Sequence, residues 1–202
     1  MTLQRNDFIA LIRDVPDWPE PGILFKDITP LLAHPEGLAW AVDRLYEPFV
    51  GQHVDHVIGV ESRGFIFGAA VARALGAGFI PVRKPGKLPR ATLRQDYRLE
   101  YGTDAVEMHS DAVAPGDRVL VVDDVLATGG TLAAACELVT QAGGELAGCA
   151  VLSALSKRDG VERVPEAVHA VLNAGRKRFS FPETAGRCGI LAPEIHTRAD
   201  RT

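Results

Sequence analysis

The sequence predicts an α/β fold in which a parallel sheet is flanked by helices. Apolar runs typical of buried strands alternate with segments of helical spacing, as where "VDHVIGV" precedes "GFIFGAAVARALGAG". This alternation indicates right-handed units whose strands run parallel. Three unusual segments, "ESRG", "VRKPGK" and "DDVLATGG", follow such runs. Because ligands bind at the carboxyl ends of parallel strands, we expect these segments to form a binding site.

Length and composition favour a single domain over residues 1–202 that binds small molecules. The chain is 47% hydrophobic and 24% charged with a net charge of −4, which indicates neither disorder nor a nucleic-acid surface. No apolar run is long enough for a membrane span or a signal segment. The three cysteines, Cys136, Cys149 and Cys188, lack disulfide or zinc spacing, so we expect a reducing, cytoplasmic setting.

The first third of the chain predicts an arm followed by the first strand of the sheet. A short helix is expected over residues 7–13, and the next segment, "DVPDWPEPGILFKDITPLL", contains four prolines and a glycine. Such residues break helices, so an ordered but irregular arm is predicted over about residues 1–33. Leu38, Val42 and Leu45 then have helical spacing, and "VDHVIGV" predicts a buried strand that ends at Glu61.

The middle of the chain predicts a second strand and a flexible hood loop. "FIPVRK" follows the helical segment "GFIFGAAVARALGAG" and predicts a strand. The next segment, "PGKLPRATLRQDYRLEYG", is rich in Lys and Arg and poor in core residues, which indicates a mobile flap over about residues 84–105. Within and after it, "YRLEYG" and "AVEMHS" have the composition of two strands that pair.

The remainder predicts a strand in "DRVLVVDD", a helix in "GGTLAAACELVTQAG", and strands in "ELAGCAVLSAL" and "AVHAVLNA". The Pro, Gly and charged residues of the tail indicate a loosely held extension over about residues 175–202.

The segment "VLVVDDVLATGGT", residues 119–131, combines a strand, two acids and a turn of small residues. Gly129 and Gly130 would let the backbone approach a ligand, and the helix that follows presents its N-terminus, which favours anions. The turn is therefore predicted to hold a phosphate. Thr128 and Thr131 add hydroxyl donors, although they have an alternative role as caps of the helix.

Asp123 and Asp124 would repel a phosphate unless they face neutral hydroxyls or a ligand that carries a metal. A ribose diol meets this condition, and the alternative is a solvated acidic turn. Other nucleotide loops are excluded by spacing, since the only Gly-Lys pair, Gly86 and Lys87, lacks the other residues of a Walker A loop.

Taken together, these motifs resemble the type I phosphoribosyltransferase family. "VLVVDDVLATGGT" is similar to its phosphoribosyl-diphosphate (PRPP) motif, and "VDD" with "ATGGT" resembles the version found in adenine phosphoribosyltransferases. "PDWPEPGILFKDITPLL" resembles the base-binding arm, "GVESRGFIFG" the diphosphate loop, and "PVRKPGKLP" with "YRLEYGTDAVEMH" the hood. The resemblance covers about residues 14–143. It implies transfer of a phosphoribosyl group from PRPP to adenine, giving AMP and diphosphate, in a homodimer.

The resemblance also implies that Mg²⁺ is carried by PRPP, near Asp123 and Asp124 through water and with no direct protein ligand. Cations are expected to bind the departing diphosphate, because charge-assisted donors suit a leaving anion. Together with the patterns described above, the resemblance implies a PRPP and AMP site that contains Ser62, Arg63, Arg83, Lys84, Lys87, Tyr101, Asp123, Asp124, Ala127, Thr128, Gly129, Gly130 and Thr131. Ordinary solvated positions remain the alternative for Lys84 and Lys87.

Three positions, two of them in this set, are predicted to take part in the chemical step. Arg63 and Lys87 stabilise the departing diphosphate, and Glu100, in "LEYG" on the hood, is the candidate base for the N9 proton of adenine. The alternatives are that diphosphate takes this proton and that Glu100 is solvated.

Adenine itself is expected at the arm. Phe25 offers a flat face for a purine, and the backbone near Lys26 and Asp27 reads its edge, as the resemblance implies. A core position is the alternative for Phe25. The 6-oxopurine relatives carry an aspartate where this chain has Ala127, which argues against hypoxanthine and guanine.

Ser153 stands where the adenine enzymes usually have a glutamate, so another purine or base analogue remains the alternative substrate. A PRPP-binding regulator is the alternative of a different class, but the chain offers no basic DNA-binding module.

Overall fold

The structure is a computed structural model that describes residues 5–98, 102–155 and 159–173. The expected C-terminal extension, residues 175–202, lies outside the described residues.

The N-terminal arm contains a hairpin that the sequence did not predict. Helix α1 (Arg5–Ile9) begins and ends earlier than the helix expected over residues 7–13. Strands β1 (Arg13–Pro16) and β2 (Leu24–Asp27) then pair antiparallel, with Pro16 opposite Leu24. Pro19 and Pro21 lie in the connection between the strands, so they remove no hydrogen bond from the ladder. Helices α2 (Thr29–Ala33) and α3 (Pro35–Tyr46) follow.

The next elements form two strands of the main sheet and then a separate hairpin. Strand β3 (His56–Val60), helix α4 (Arg63–Leu75) and strand β4 (Gly78–Val82) form the first strand–helix–strand unit. Strands β5 (Thr92–Arg98) and β6 (Thr103–His109) pair antiparallel as a separate hairpin, here called the hood hairpin. Its tip, residues 99–101, lies outside the described residues. A hairpin does form here, but residues 105–109 pair with residues 92–96 and not with "YRLEYG", of whose described residues only Tyr97 and Arg98 lie in β5.

The second half of the chain completes the sheet. Its elements are β7 (Arg118–Leu126), α5 (Gly130–Gln141), β8 (Glu145–Ala154), α6 (Asp159–Glu162) and β9 (Val168–Asn173). The strand order is β4-β3-β7-β8-β9, and every neighbouring pair is parallel. The predicted fold class, a parallel sheet flanked by helices, is confirmed.

Alternation along β7 explains how one strand serves two cores. Val119 and Val121 lie in the cluster that contains Leu138 of α5, and Leu120 and Val122 lie in the cluster around Phe67 of α4. Because successive side chains of a strand point to opposite faces, a fully apolar strand buries both. These two clusters hold β3 and β7 at the centre of the sheet, where both strands deliver their carboxyl ends to one edge.

In the described part of the chain, no helix combines the length and the apolar character that crossing a membrane requires.

Candidate active site

A pocket of about 290 Å³ lies where β3 and β7 end and the helices α4 and α5 begin. The turn after β3 contributes Glu61, Ser62 and Arg63 to its lining, and Lys84 follows β4. The end of β7 and the turn after it contribute Asp123, Asp124, Ala127, Thr128, Gly129 and Thr131. Thus the three segments singled out in the sequence all reach one pocket, at the edge of the sheet where ligands of such folds bind.

Two adjacent carboxylates form the floor of this pocket. Asp124 is only 5% exposed, and Asp123 is partly buried, with its Oδ1 accepting a hydrogen bond from the Asp124 N–H at 2.8 Å. Burial raises the pKa of both carboxyl groups, and the neighbouring charge of Asp124 raises the pKa of Asp123 further. Neutral hydroxyl donors or a cation would relieve this repulsion, whereas a phosphate placed directly on the pair would increase it.

Arg63 connects the acidic pair to the N-terminal arm. Its Nη2 lies 3.0 Å from Asp124 Oδ2, and its positive charge opposes the rise in the pKa of Asp124. Its Nη1 donates to the Lys26 carbonyl at 3.4 Å, and its guanidinium carbon lies 4.9 Å from the centre of the Phe25 ring. One side chain therefore contacts both the predicted ribose site and the predicted base site.

Gly64 allows the start of α4, which carries Arg63, to lie close to β7. The sequence did not predict this role. A Cβ on Gly64 would lie 2.9 Å from Asp123 Oδ1 and 3.0 Å from the Val122 carbonyl oxygen. Only glycine lets the first turn of α4 pack so closely on β7. The signal in the sequence is the glycine that ends "ESRG".

The glycines of the turn after β7 face protein atoms on their Cβ side. Gly129 has φ +79°, and a Cβ there would lie 2.1 Å from the Gly160 carbonyl oxygen. A Cβ on Gly130 would lie 3.0 Å from Tyr97 Cδ2. The space on the Cβ side of both glycines is therefore filled by the chain itself, and it stays a prediction that they let the backbone approach a ligand. Their backbone N–H groups remain the predicted phosphate donors, because Gly129 is the N-cap of α5 and has no side chain to bond them.

Neither threonine of this turn occupies the N-cap position of α5, which belongs to Gly129. Thr128 and Thr131 both line the pocket, as does Ala127.

The predicted diphosphate cations separate into two groups. Lys84 lines the pocket, whereas Arg83 and the exposed Lys87 do not. Arg83 instead donates to Glu61 Oε2 from Nε at 3.2 Å and to the Lys87 carbonyl from Nη1 at 3.2 Å. Glu61 also accepts from the Lys84 N–H at 3.0 Å, and the sequence reading missed it. Arg83 and Glu61 are 22 positions apart in the sequence, so no local pattern reveals that they pair.

The arm residues lie beside the pocket and not in its wall. Phe25 packs edge-on against Trp18, with 4.3 Å between ring centres. The Lys26 ammonium pairs with Asp14, and Asp27 accepts from the Thr29 N–H at 2.9 Å and from the Thr29 hydroxyl at 2.7 Å. The side chains of Lys26 and Asp27 are thus engaged within the arm itself.

Two predicted residues, Glu100 and Tyr101, lie outside the described residues. Ser153 lies in β8 opposite Val125 and does not line the pocket.

The donor set of the pocket fits a magnesium ion that arrives with a phosphate ligand. Within residues 5–98, 102–155 and 159–173, no group of three or more His, Cys, Asp or Glu side chains is arranged to hold a metal ion. Mg²⁺ keeps several waters and binds through one or two carboxylates together with substrate phosphates. Asp123 and Asp124 are suitable acceptors for hydrogen bonds from the waters of such an ion.

Comparisons with known proteins agree with this geometry. The profile of the phosphoribosyl transferase domain family matches residues 25–174. The adenine phosphoribosyltransferase of Thermobifida fusca is 58% identical over 155 residues, which cover 77% of this chain and 88% of that protein.

Solved structures are similar as well. The adenine phosphoribosyltransferase of Rhodothermus marinus has a TM-score of 0.80 at 56% identity and covers 83% of this chain and 97% of its own. The Saccharomyces cerevisiae enzyme, complexed with an imino-altritol bisphosphate and adenine, has a TM-score of 0.78 at 37% identity, with 83% and 97% covered.

Proposed function

This chain belongs to the phosphoribosyltransferase family, and from that premise we propose that it transfers the 5-phosphoribosyl group of PRPP to adenine. The products are AMP and diphosphate, which makes the protein a purine salvage enzyme. The observation that carries the proposal is that the acidic pair, the turn that begins α5, Arg63 and Lys84 all line one pocket. Its relatives at more than half identity are named adenine phosphoribosyltransferases.

Each part of the pocket suits one part of PRPP. The N–H groups at the start of α5 and the hydroxyls of Thr128 and Thr131 bind the 5′-phosphate. Asp123 and Asp124 accept hydrogen bonds from the ribose hydroxyls, which are neutral donors and so relieve the repulsion within the pair. Ser62, Arg63 and Lys84 also line the pocket and bind the diphosphate. Mg²⁺ bound with PRPP would supply positive charge where the leaving diphosphate gains negative charge.

Adenine then stacks on Phe25, beside the pocket and within reach of Arg63. The bond from ribose C1′ to the diphosphate oxygen breaks, the bond from C1′ to adenine N9 forms, and the N9 proton leaves. Glu100 remains our candidate for the base that takes this proton, with Tyr101 beside it against the ligand. Ala127 in the pocket wall offers no carboxylate to a 6-oxopurine, which supports adenine as the acceptor.

Arg83 and Lys87 are proposed to bind diphosphate as well, although Arg83 must first leave Glu61. Lys87 is exposed, and its carbonyl accepts a hydrogen bond from Arg83.

The remaining features are proposed on the same basis. Two copies are expected to associate, because Ile66 of α4 is 42% exposed and Phe79 of the edge strand β4 is 37% exposed. Sedimentation velocity of the wild type and of Ile66→Lys tests this homodimer.

A cytoplasmic setting is supported by Cys136 and Cys149, which remain free thiols with their sulfur atoms 3.4 Å apart.

The decisive experiment is a panel of purines incubated with PRPP and Mg²⁺, with formation of the nucleotide as the readout. We expect product from adenine and none from hypoxanthine or guanine. Product from a different base alone would favour the alternative acceptor suggested by Ser153. Binding of PRPP without turnover of any base would favour a regulator.

A further inference from the structure

The hood hairpin holds the pocket lysine through two residues that have no assigned role. The Lys84 Nζ donates to the Tyr97 hydroxyl at 2.8 Å and also to the Asp104 carboxylate. The Tyr97 hydroxyl in turn donates to Asp104 Oδ2 at 3.0 Å. The three side chains form a closed triangle of hydrogen bonds, of which only Lys84 lines the pocket.

This triangle restrains a side chain that is otherwise among the most flexible. A lysine ammonium on a four-carbon stem has many rotamers, and this freedom is lost when it binds a ligand. A lysine that other side chains already hold in place loses little further freedom when it binds a ligand. Burial by itself lowers the pKa of Lys84, but the hydrogen bonds to Asp104 and Tyr97 outweigh it and raise that pKa overall. The ammonium therefore stays charged.

Tyr97 also packs against the first residue of α5. It is 9% exposed, and its Cδ2 lies 3.0 Å from the position that a Cβ of Gly130 would occupy. Gly130 is the first residue of α5, at the predicted phosphate turn. One aromatic ring thus packs against the turn that begins α5 while its hydroxyl bonds the lysine on the other side.

We propose that Tyr97 and Asp104 are positioning residues that fix the distance between Lys84 and the turn that begins α5. This inference rests on the proposed function, because it concerns a ligand such as PRPP that carries phosphate groups at both ends. Neither residue contacts the ligand. Tyr97 sets the spacing between Lys84 and the turn that begins α5. Asp104 holds the Lys84 ammonium in place at that spacing.

The inference is tested by Tyr97→Phe, which removes only the hydroxyl, and by Asp104→Asn, which removes only the charge. Asp96→Asn is the matched control, because Asp96 lies on the same hairpin and pairs with the exposed Arg94 at 2.9 Å, away from Lys84. Calorimetry measures the binding of inorganic diphosphate with Mg²⁺ and, separately, of AMP. We expect both variants to weaken diphosphate binding about tenfold, the effect of one modest hydrogen bond. AMP binding and the control should change less than about twofold.

A structural role is separated from a positioning role by repeating the measurement in a Lys84→Met background. Because Tyr97 acts through Lys84, Tyr97→Phe should cause no further loss of diphosphate binding there. An equal loss in both backgrounds, a parallel loss of AMP binding, or unchanged diphosphate binding in Tyr97→Phe and Asp104→Asn would each overturn the proposal. If the wild type binds neither diphosphate nor AMP, the proposed function itself fails.

Discussion

The turns that follow β3 and β7 lie side by side on one edge of the sheet, yet they are held in opposite ways. The turn after β3 presents charged side chains, and each is fixed by a charged partner: Arg63 by Asp124 and Glu61 by Arg83. The turn after β7 consists of small residues and is fixed by close packing, with Gly129 against Gly160 and Gly130 against Tyr97. The first turn offers side-chain charge to a ligand, whereas the second offers backbone N–H groups.

This difference suits a ligand that is itself asymmetric. Charged side chains form charge-assisted hydrogen bonds with a diphosphate, and backbone N–H groups form a concave site for a terminal phosphate. The acidic pair between the two turns must then face the uncharged middle of the ligand.

The largest expected effect comes from the acidic pair. Asp123→Asn combined with Asp124→Asn removes two charged acceptors, each worth about 1.5 to 3 kcal/mol. We therefore expect kcat/KM for PRPP to fall by about 10² to 10⁴-fold. Asp111→Asn, which breaks an exposed ion pair with Arg90, serves as the control and should retain activity. Wild-type turnover in the double variant would mean that the pair does not hold the ribose.

A smaller effect, on the free energy of unfolding, is expected when the packing of the turn after β7 is disturbed. Gly76 and Gly129 both have positive φ, but a Cβ on Gly76 meets nothing within 4 Å. Gly76→Ala should therefore cost only the backbone strain, about 1 to 2 kcal/mol of unfolding free energy. Gly129→Ala should cost about 1 to 3 kcal/mol more, because its Cβ would collide with Gly160.

Chemical denaturation of both variants gives this comparison directly. Equal losses of stability would show that the contact with Gly160 does not hold the turn.

The smallest expected effect is a pH dependence of stability. Because the pKa of Asp123 is raised in the folded state above its ordinary value of 3.8, the folded protein binds this proton more tightly than the unfolded chain. The contribution of Asp123 to stability therefore falls as pH rises from about 4 through the raised pKa. Asp123→Asn removes this contribution, so the variant should gain stability relative to the wild type as pH rises. Thermal unfolding across pH 4 to about 8 measures the difference, and parallel curves would contradict it.

The sequence predicts the elements of this site better than their pairing. The run from Val119 to Asp124 and the small residues after it predict a strand, two acids and a helix start, because these are local patterns. The hairpin of the arm was missed, because Pro16 at the end of β1 and the prolines Pro19 and Pro21 of the connection indicated an irregular segment. Likewise, nothing local indicates that Arg83 pairs with Glu61, or that Tyr97 reaches both Lys84 and Gly130. Such contacts are set by the packing of remote segments.

The most direct test of the account is a crystal structure of the protein with PRPP and Mg²⁺. The account predicts the 5′-phosphate on the N–H groups of residues 127–131, the ribose hydroxyls on Asp123 and Asp124, and the diphosphate beside Arg63 and Lys84. A diphosphate seated in the turn of residues 127–131, or a ribose that leaves the acidic pair untouched, would contradict it.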